Sequence, residues 1–182
     1  TLFRSFKYQN YFYSIELVDD NWQSVPLSPF DYTRGFSQNK INDFKISSIA
    51  IQQYYHYQFS LPNQNCTPTK AGNYILKVFR DGDPTQIVFT RRFYVVNSLI
   101  SVFATVQEPL DGNISTTFQK VQLSLDVKQI PYFQPDQLKL VVFQNHRFND
   151  AKVVTEPRFI RGSQVEYNCE RDLIFPGGKE TR

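Results

Sequence analysis

The sequence predicts an all-β protein made of two tandem β-sandwich domains of immunoglobulin or fibronectin type III character. Three observations predict it. Aromatic residues make up 16% of the chain, with 17 Phe and 11 Tyr, and such side chains suit the pleated, half-buried surface of a sheet. Apolar and polar residues alternate in several short runs, each closed by clusters of Gly, Pro, Asn and Asp, as in antiparallel strands joined by turns. No window of useful length carries a helical period.

The elements follow in order. Tyr11–Val18 alternates, with Tyr11, Tyr13, Ile15 and Leu17 on one face, so it reads as a strand with one buried side. The next stretch, DDNWQSVPLSPFDYTRGF, has two prolines, turn residues and the sole Trp. It reads as a structured loop that Trp22 pins to the core. Residues 48–61 form the longest alternating run, with Ile49, Ile51, Gln53, Tyr55, Tyr57, Phe59 and Leu61 on one face before Pro62 and Asn63 close it. A hairpin spans Ala71–Val96 around Asp81-Gly82-Asp83-Pro84. Asn97-Ser98 marks a seam. Further strands are expected at Leu99–Val106, Gln119–Val127, Leu138–Phe143 and Gln164–Tyr167. The expected domains are therefore residues 1–97 and residues 98–182, joined by a very short linker.

Composition excludes several classes. At 41% hydrophobic, the 182-residue chain has ample core material, so disorder is excluded. Seven glycines argue against a Gly-rich nucleotide fold. Lys and Arg outnumber Asp and Glu by ten to seven in residues 1–96 and balance at ten each in 97–182. That excess is too small and too dispersed for a nucleic-acid partner. No run approaches the roughly 18 apolar residues of a membrane helix, so direct membrane insertion is not expected. No signal peptide is visible. The chain opens on Thr1 and contains no Met, so a processed or partial polypeptide is expected.

Catalytic chemistry needs an acid, base or nucleophile with a partner in reach. His56 lies in the tyrosine-rich YYHYQF run and His146 in FQNHRFND; neither accompanies a nucleophile motif. Asp19-Asp20 and Asp81-Gly82-Asp83 read as turn chemistry rather than calcium loops, which need more ligands at set spacing. Cys66 and Cys169 have no metal-ligand partner at the right spacing and are either free thiols or one disulfide. Asn65-Cys66-Thr67 and Asn113-Ile114-Ser115 are formal glycosylation sequons, meaningful only in a secreted eukaryotic chain. No catalytic residue, cofactor or metal is expected.

Arg91 and Arg92 are neighbours on the second hairpin strand. Adjacent strand residues point to opposite faces, so they cannot clamp one anion together. One faces the inner side or margin of the sheet, where a guanidinium is either paired or near an edge; the other faces out, where a partner can meet it. The segment 143–151, with Asn145, His146 and Arg147, is a polar close to an apolar strand. It reads as a hydrogen-bonded turn or a recognition loop. Tyr32 and Trp22 complete the candidate partner-binding residues.

Ordered together, YFYSIELVDDNWQSVPLSPFDYTRGF, YYHYQFSLPN, AGNYILKVFRDGDP, TRRFYVV, VVFQNHRFNDA, PRFIRGSQVEYN and FPGGKETR resemble the plug-protein family of the Bacteroidetes type IX secretion system. The family pattern falls on Tyr11, Tyr13, Trp22, Tyr32, Gly35 and Phe36, then on Tyr54, His56, Tyr57, Phe59, Leu61, Pro62 and Asn63, then on Gly72–Tyr74 and Thr90–Val95. It covers about Tyr8 to Arg182. Two departures are the leading TLFRSFKYQN and the closing Gly-Gly-Lys-Glu-Thr-Arg. Family members are longer, so the resemblance is to an N-terminal half; it implies that residues 1–97 lack a leading strand, which is poorly formed in TLFRSFKYQN, and that the second domain is incomplete. It implies a non-enzymatic periplasmic protein, associated with the outer membrane, that binds and occludes the translocon barrel. It supplies no catalytic residues. A carbohydrate-binding β-sandwich module, or an accessory domain of a surface glycan-processing protein, is the alternative reading.

Overall fold

The structure, a computed structural model, describes residues 2–48, 52–145, 147, 150–168 and 171–177. The protein is all-β. Its described residues hold antiparallel sheets, one four-residue helical turn and one 3-10 turn. The chain divides into two compact units, residues 1–97 and 98–182.

The first unit contains β1 (Leu2–Ser5), β2 (Tyr11–Val18), the helical turn α1 (Pro29–Tyr32), β3 (Thr33–Gly35), β4 (Asn39–Lys40), β5 (Phe44–Ile46), β6 (Tyr55–Gln58), β7 (Cys66–Pro68), β8 (Gly72–Arg80) and β9 (Ile87–Val95). One sheet has the order β4-β2-β8-β9, a second the order β1-β6-β5, and β3 pairs with β7. The alternation of β2 is realised: Tyr11, Tyr13 and Ile15 are buried, while Phe12, Ser14 and Glu16 are not. Opposite them on β8, Tyr74, Leu76 and Val78 are buried too.

These residues meet Tyr57 of the second sheet in one core. Phe3 of β1 stacks on Tyr57 at 5.3 Å and meets Tyr11 and Phe89 edge-on. Such aromatic pairs contribute about 0.5–1.5 kcal/mol beyond their burial. Buried tyrosines also need partners for their hydroxyls, since an orphaned one costs about 1–3 kcal/mol. Tyr57 donates to the Gln9 carbonyl and accepts from the Gln9 amide; Tyr74 donates to the Lys70 carbonyl.

The β8–β9 turn explains its own sequence. Asp81 and Gly82 take left-handed backbone angles, φ 51° and 75°. The Asp83 carboxylate accepts from the Thr85 amide, the Thr85 hydroxyl and Gln86 Nε2. Those bonds, the Thr85 hydroxyl's first, hold its carboxyl below the usual range. A register shift beside it pairs Val78 with Phe89 but Phe79 with Ile87.

The second unit contains β10 (Ser101–Gln107), β11 (Phe118–Asp126), the 3-10 turn Pro135–Gln137, β12 (Leu140–Val142), β13 (Lys152–Val154), β14 (Phe159–Arg161), β15 (Gln164–Tyr167) and β16 (Ile174–Pro176). The main sheet runs β10-β11-β15-β14, with β16 also on β11, and β12 pairs with β13. Leu123, Leu125, Val127, Val154, Val165, Tyr167 and Leu173 form its core. All seven residues of β10 are exposed.

Three expectations change. The run 48–61 is not one long strand: pairing covers only Tyr55–Gln58, because its neighbours β1 and β5 are four and three residues long. Residues 49–51 lie outside the described residues. The leading segment, expected to be poorly formed, makes β1, paired with β6 from Leu2↔Gln58 to Ser5↔Tyr55. The strand expected over Leu138–Phe143 is confined to Leu140–Val142 by the 3-10 turn before it.

Candidate interaction surface

On the face of the first sheet turned away from the core, Arg92 and Tyr94 stand two residues apart on β9. Across the ladder they face Ile75 and Asn73 of β8. The β2–α1 loop brings Trp22 onto them. That loop is tied by Asp19, whose Oδ1 accepts from the Asn21 and Gln23 amides at 2.9 and 2.7 Å. Its carbonyl accepts from the Trp22 amide and from Asn73 Nδ2, and a bridge between Val18 and Ser24 closes the loop. Inside it Trp22 has φ 65°, a left-handed angle uncommon for a bulky residue. Four hydrogen bonds to one aspartate hold it there.

The consequence is a packed trio. The Arg92 guanidinium carbon lies 4.6 Å from the centre of the Trp22 ring, within cation–π range. Trp22 and Tyr94 meet edge-on at 5.5 Å. Tyr94 is 41% exposed and Arg92 is exposed. Partial burial raises the Tyr94 phenol pKa, and the Arg92 charge offsets part of that rise. The guanidinium lies over the indole ring, and no described residue hydrogen-bonds or ion-pairs with Arg92. Its N–H donors are open to carboxylates or carbonyls from outside. Beside the trio, Glu16 pairs with Lys77 and accepts from Ser24 at 2.6 Å.

The other expected residues lie elsewhere. Arg91 shares the core-side parity of Phe89 and Phe93 and sits opposite Leu76. It is nonetheless exposed, because β9 is an edge strand and its margin is open. Tyr32 is 3% exposed. Pro29 and the bond from the Ser28 amide to the Asp31 carboxylate start its helical turn, which drives its ring against Tyr74 at 6.0 Å. Burial raises its phenol pKa, with the Leu17 backbone offsetting part of that rise; its work is packing. In the second unit Asn145 is exposed with φ 53°, and the Arg147 amide donates to the Gln144 carbonyl. That is a hydrogen-bonded turn. His146 lies outside the described residues, as does Cys169; Cys66 is a buried free thiol.

Of the expected residues, then, Trp22 and Arg92 come together, and Trp22 lies on the outer face of the sheet rather than pinning its loop to the core as the sequence suggested, because the Asp19 bonds fold the loop outward over β9. Tyr94 joins them without having been singled out. Strand parity could have found it, since residues two apart share a face. Tyr, Trp and Arg are the residues enriched at protein–protein hot spots.

The family model described as type 9 secretion system plug protein, first domain, matches residues 4–97, the extent of the first unit. The crystal structure of a hypothetical protein from Parabacteroides merdae ATCC 43184 superposes with a TM-score of 0.89 at 32% identity, covering 100% of this chain and 46% of that one. This chain thus spans less than half the length of that solved relative. No curated protein matches it.

Proposed function

We propose that this chain, which belongs to the type 9 secretion system plug protein family, works by contact rather than by chemistry: it docks on the outer-membrane translocon barrel from the periplasm and occludes it. A role in type IX secretion rests on the family. The occluding role, the barrel as partner and the periplasmic location are our reading. The observation that carries it is the Trp22–Arg92–Tyr94 trio, set on the sheet of the very segment that matches the family. Among the described residues no helix is long and apolar enough to cross a membrane.

Each compact unit acts as an autonomous immunoglobulin- or fibronectin-like sandwich in this reading. In this reading the chain occludes the barrel while no substrate is passing. Anchors of this type contribute about 2 kcal/mol or more when desolvated by a partner, or roughly thirty-fold in affinity. Arg91 and the Asn145–Arg147 turn are secondary contacts.

The test is co-purification with the translocon from native outer membranes, together with a dye-leak measurement on cells lacking the gene. Capture of the barrel and a leak restored to baseline by the wild-type chain are expected. A leak unchanged by deletion contradicts the proposal.

A further inference from the structure

The first unit holds a groove of about 880 Å³ whose lining residues include none of the Trp22 trio. Its floor includes Tyr13 and Ile41, 3% and 4% exposed. Phe59 stacks on Tyr13 with centroids 4.4 Å apart and ring planes within 14°. Lys40, Asn42, Asp43, Gln58, Gln64 and Asn65 line its polar side.

This polar rim is built rather than incidental. Asn63 Nδ2 donates to the Tyr13 hydroxyl at 2.7 Å and to the Ser60 carbonyl at 2.8 Å, and its Oδ1 accepts from the Asn65 amide. Asn63 and Cys66 exchange backbone hydrogen bonds, and the Thr67 hydroxyl donates to the Asn63 carbonyl. Gly35 locks the turn from behind: a Cβ there would lie 2.1 Å from the Asn65 carbonyl oxygen, which accepts from the Phe36 amide. The side chains of Lys40, Asn42, Gln64 and Asn65 make no hydrogen bond or ion pair with any described residue. The Tyr13 hydroxyl accepts from Asn63, and its own proton finds no described acceptor.

The chemistry selects a ligand class. One lysine stands against one aspartate, and Gln58 Nε2 already donates to that carboxylate at 2.7 Å, so the groove favours neutral ligands. Side-chain amides both donate and accept, which matches hydroxyl groups. The half-buried Phe59 ring, stacked over Tyr13, offers an apolar surface for a C–H face. An extended peptide would instead need a strand edge to continue. The edge strands at this rim, β1 and β4, are four and two residues long, too short for a sustained ladder. We propose that the groove binds a neutral oligosaccharide. This site is independent of the docking surface and of the plug reading.

The experiment titrates the chain with linear tetrasaccharides of glucose, mannose, galactose and N-acetylglucosamine. It uses calorimetry and side-chain amide NMR. Saturable binding of at least one, with shifts of the Asn42 and Gln64 amide signals, is expected. The double variant N42A/Q64A should weaken binding about ten-fold or more while melting as the wild type does. Trp22→Ala should leave binding unchanged. Phe59→Leu, which keeps an apolar floor without a ring, should weaken it. Absence of binding to all four sugars overturns the proposal. So does binding indifferent to N42A/Q64A, or an extended peptide that occupies the groove in preference to every sugar.

Discussion

Replacing Gly35 by Ala should destabilise the first unit by about 4 kcal/mol. Three effects combine. Gly35 has φ +112°, a region L-residues rarely adopt, and holding a side chain there costs on the order of 1–3 kcal/mol. The new Cβ would sit 2.1 Å from the Asn65 carbonyl oxygen and 2.6 Å from its carbon. Those are backbone atoms of a turn fixed by Asn63, so relief requires moving the turn, at about 1–3 kcal/mol for overpacking. That movement also removes the bond from the Phe36 amide to Asn65, worth about 1 kcal/mol. The assay is urea and thermal unfolding followed by the fluorescence of Trp22, the sole Trp, which belongs to this unit. A unit of this size moves by about 4–8 °C per kcal/mol, so the midpoint should fall by roughly 15 °C or more. Gly82→Ala is the comparator. It too has positive φ, 75°, but its Cβ would meet only Phe12 ring carbons at 3.9 Å. It should cost only the left-handed penalty, about 1–2 kcal/mol. Equal losses from the two substitutions would refute the reasoning.

Other expectations concern charge, thiol and edge. Burial alone raises the Glu16 carboxyl pKa, but hydrogen bonds from Lys77 and Ser24 and the Lys77 charge bring it below its ordinary value. A depressed folded pKa contributes stability above the unfolded pKa that is lost as pH falls through the folded one. Glu16→Gln should therefore flatten the decline in melting temperature between about pH 5 and about pH 2; parallel curves would contradict this. Burial pushes the Cys66 thiol up to about 11, so peptide-resolved mass spectrometry should find it unalkylated in the folded protein at neutral pH and labelled in urea. Labelling at equal rates in both would contradict its burial. Strand β10 is uncharged and fully exposed, with Phe103 62% accessible, and such edges pair with one another. Phe103→Lys should reduce light scattering on concentration, and unchanged scattering would count against an active edge.

The legible parts of the fold were the long, strictly alternating strands. Tyr11–Val18 and the Ala71–Val96 hairpin carry enough residues for a two-residue period to stand out, and their partners are each other. Residues 48–61 misled for the same reason: alternation marks a chain able to pair, while the length of β1 and β5 decides how much does. Strands β3, β4, β5 and β7 have two or three residues each, too few for any period. For the candidate surface, parity placed Arg91 and Arg92 on opposite faces, but which strand would be an edge is a tertiary fact. Tyr32 lies in a stretch read as loop, with Phe30 74% exposed two residues away, and nothing local says that only Tyr32 turns onto Tyr74. The contact between Trp22 and Arg92 spans seventy residues and depends on how Asp19 folds its loop.

The most direct test of contact through the Trp22 trio replaces Tyr94 with a photo-reactive phenylalanine analogue in cells with an assembled type IX secretion apparatus. The control position is Ile46, 54% exposed on the second sheet of the same unit. Irradiation should yield an adduct between position 94 and the translocon barrel, absent at position 46 and lost when Arg92 is changed to Ala. An adduct from position 46 alone, or one from position 94 that survives Arg92→Ala undiminished, would contradict docking through this face.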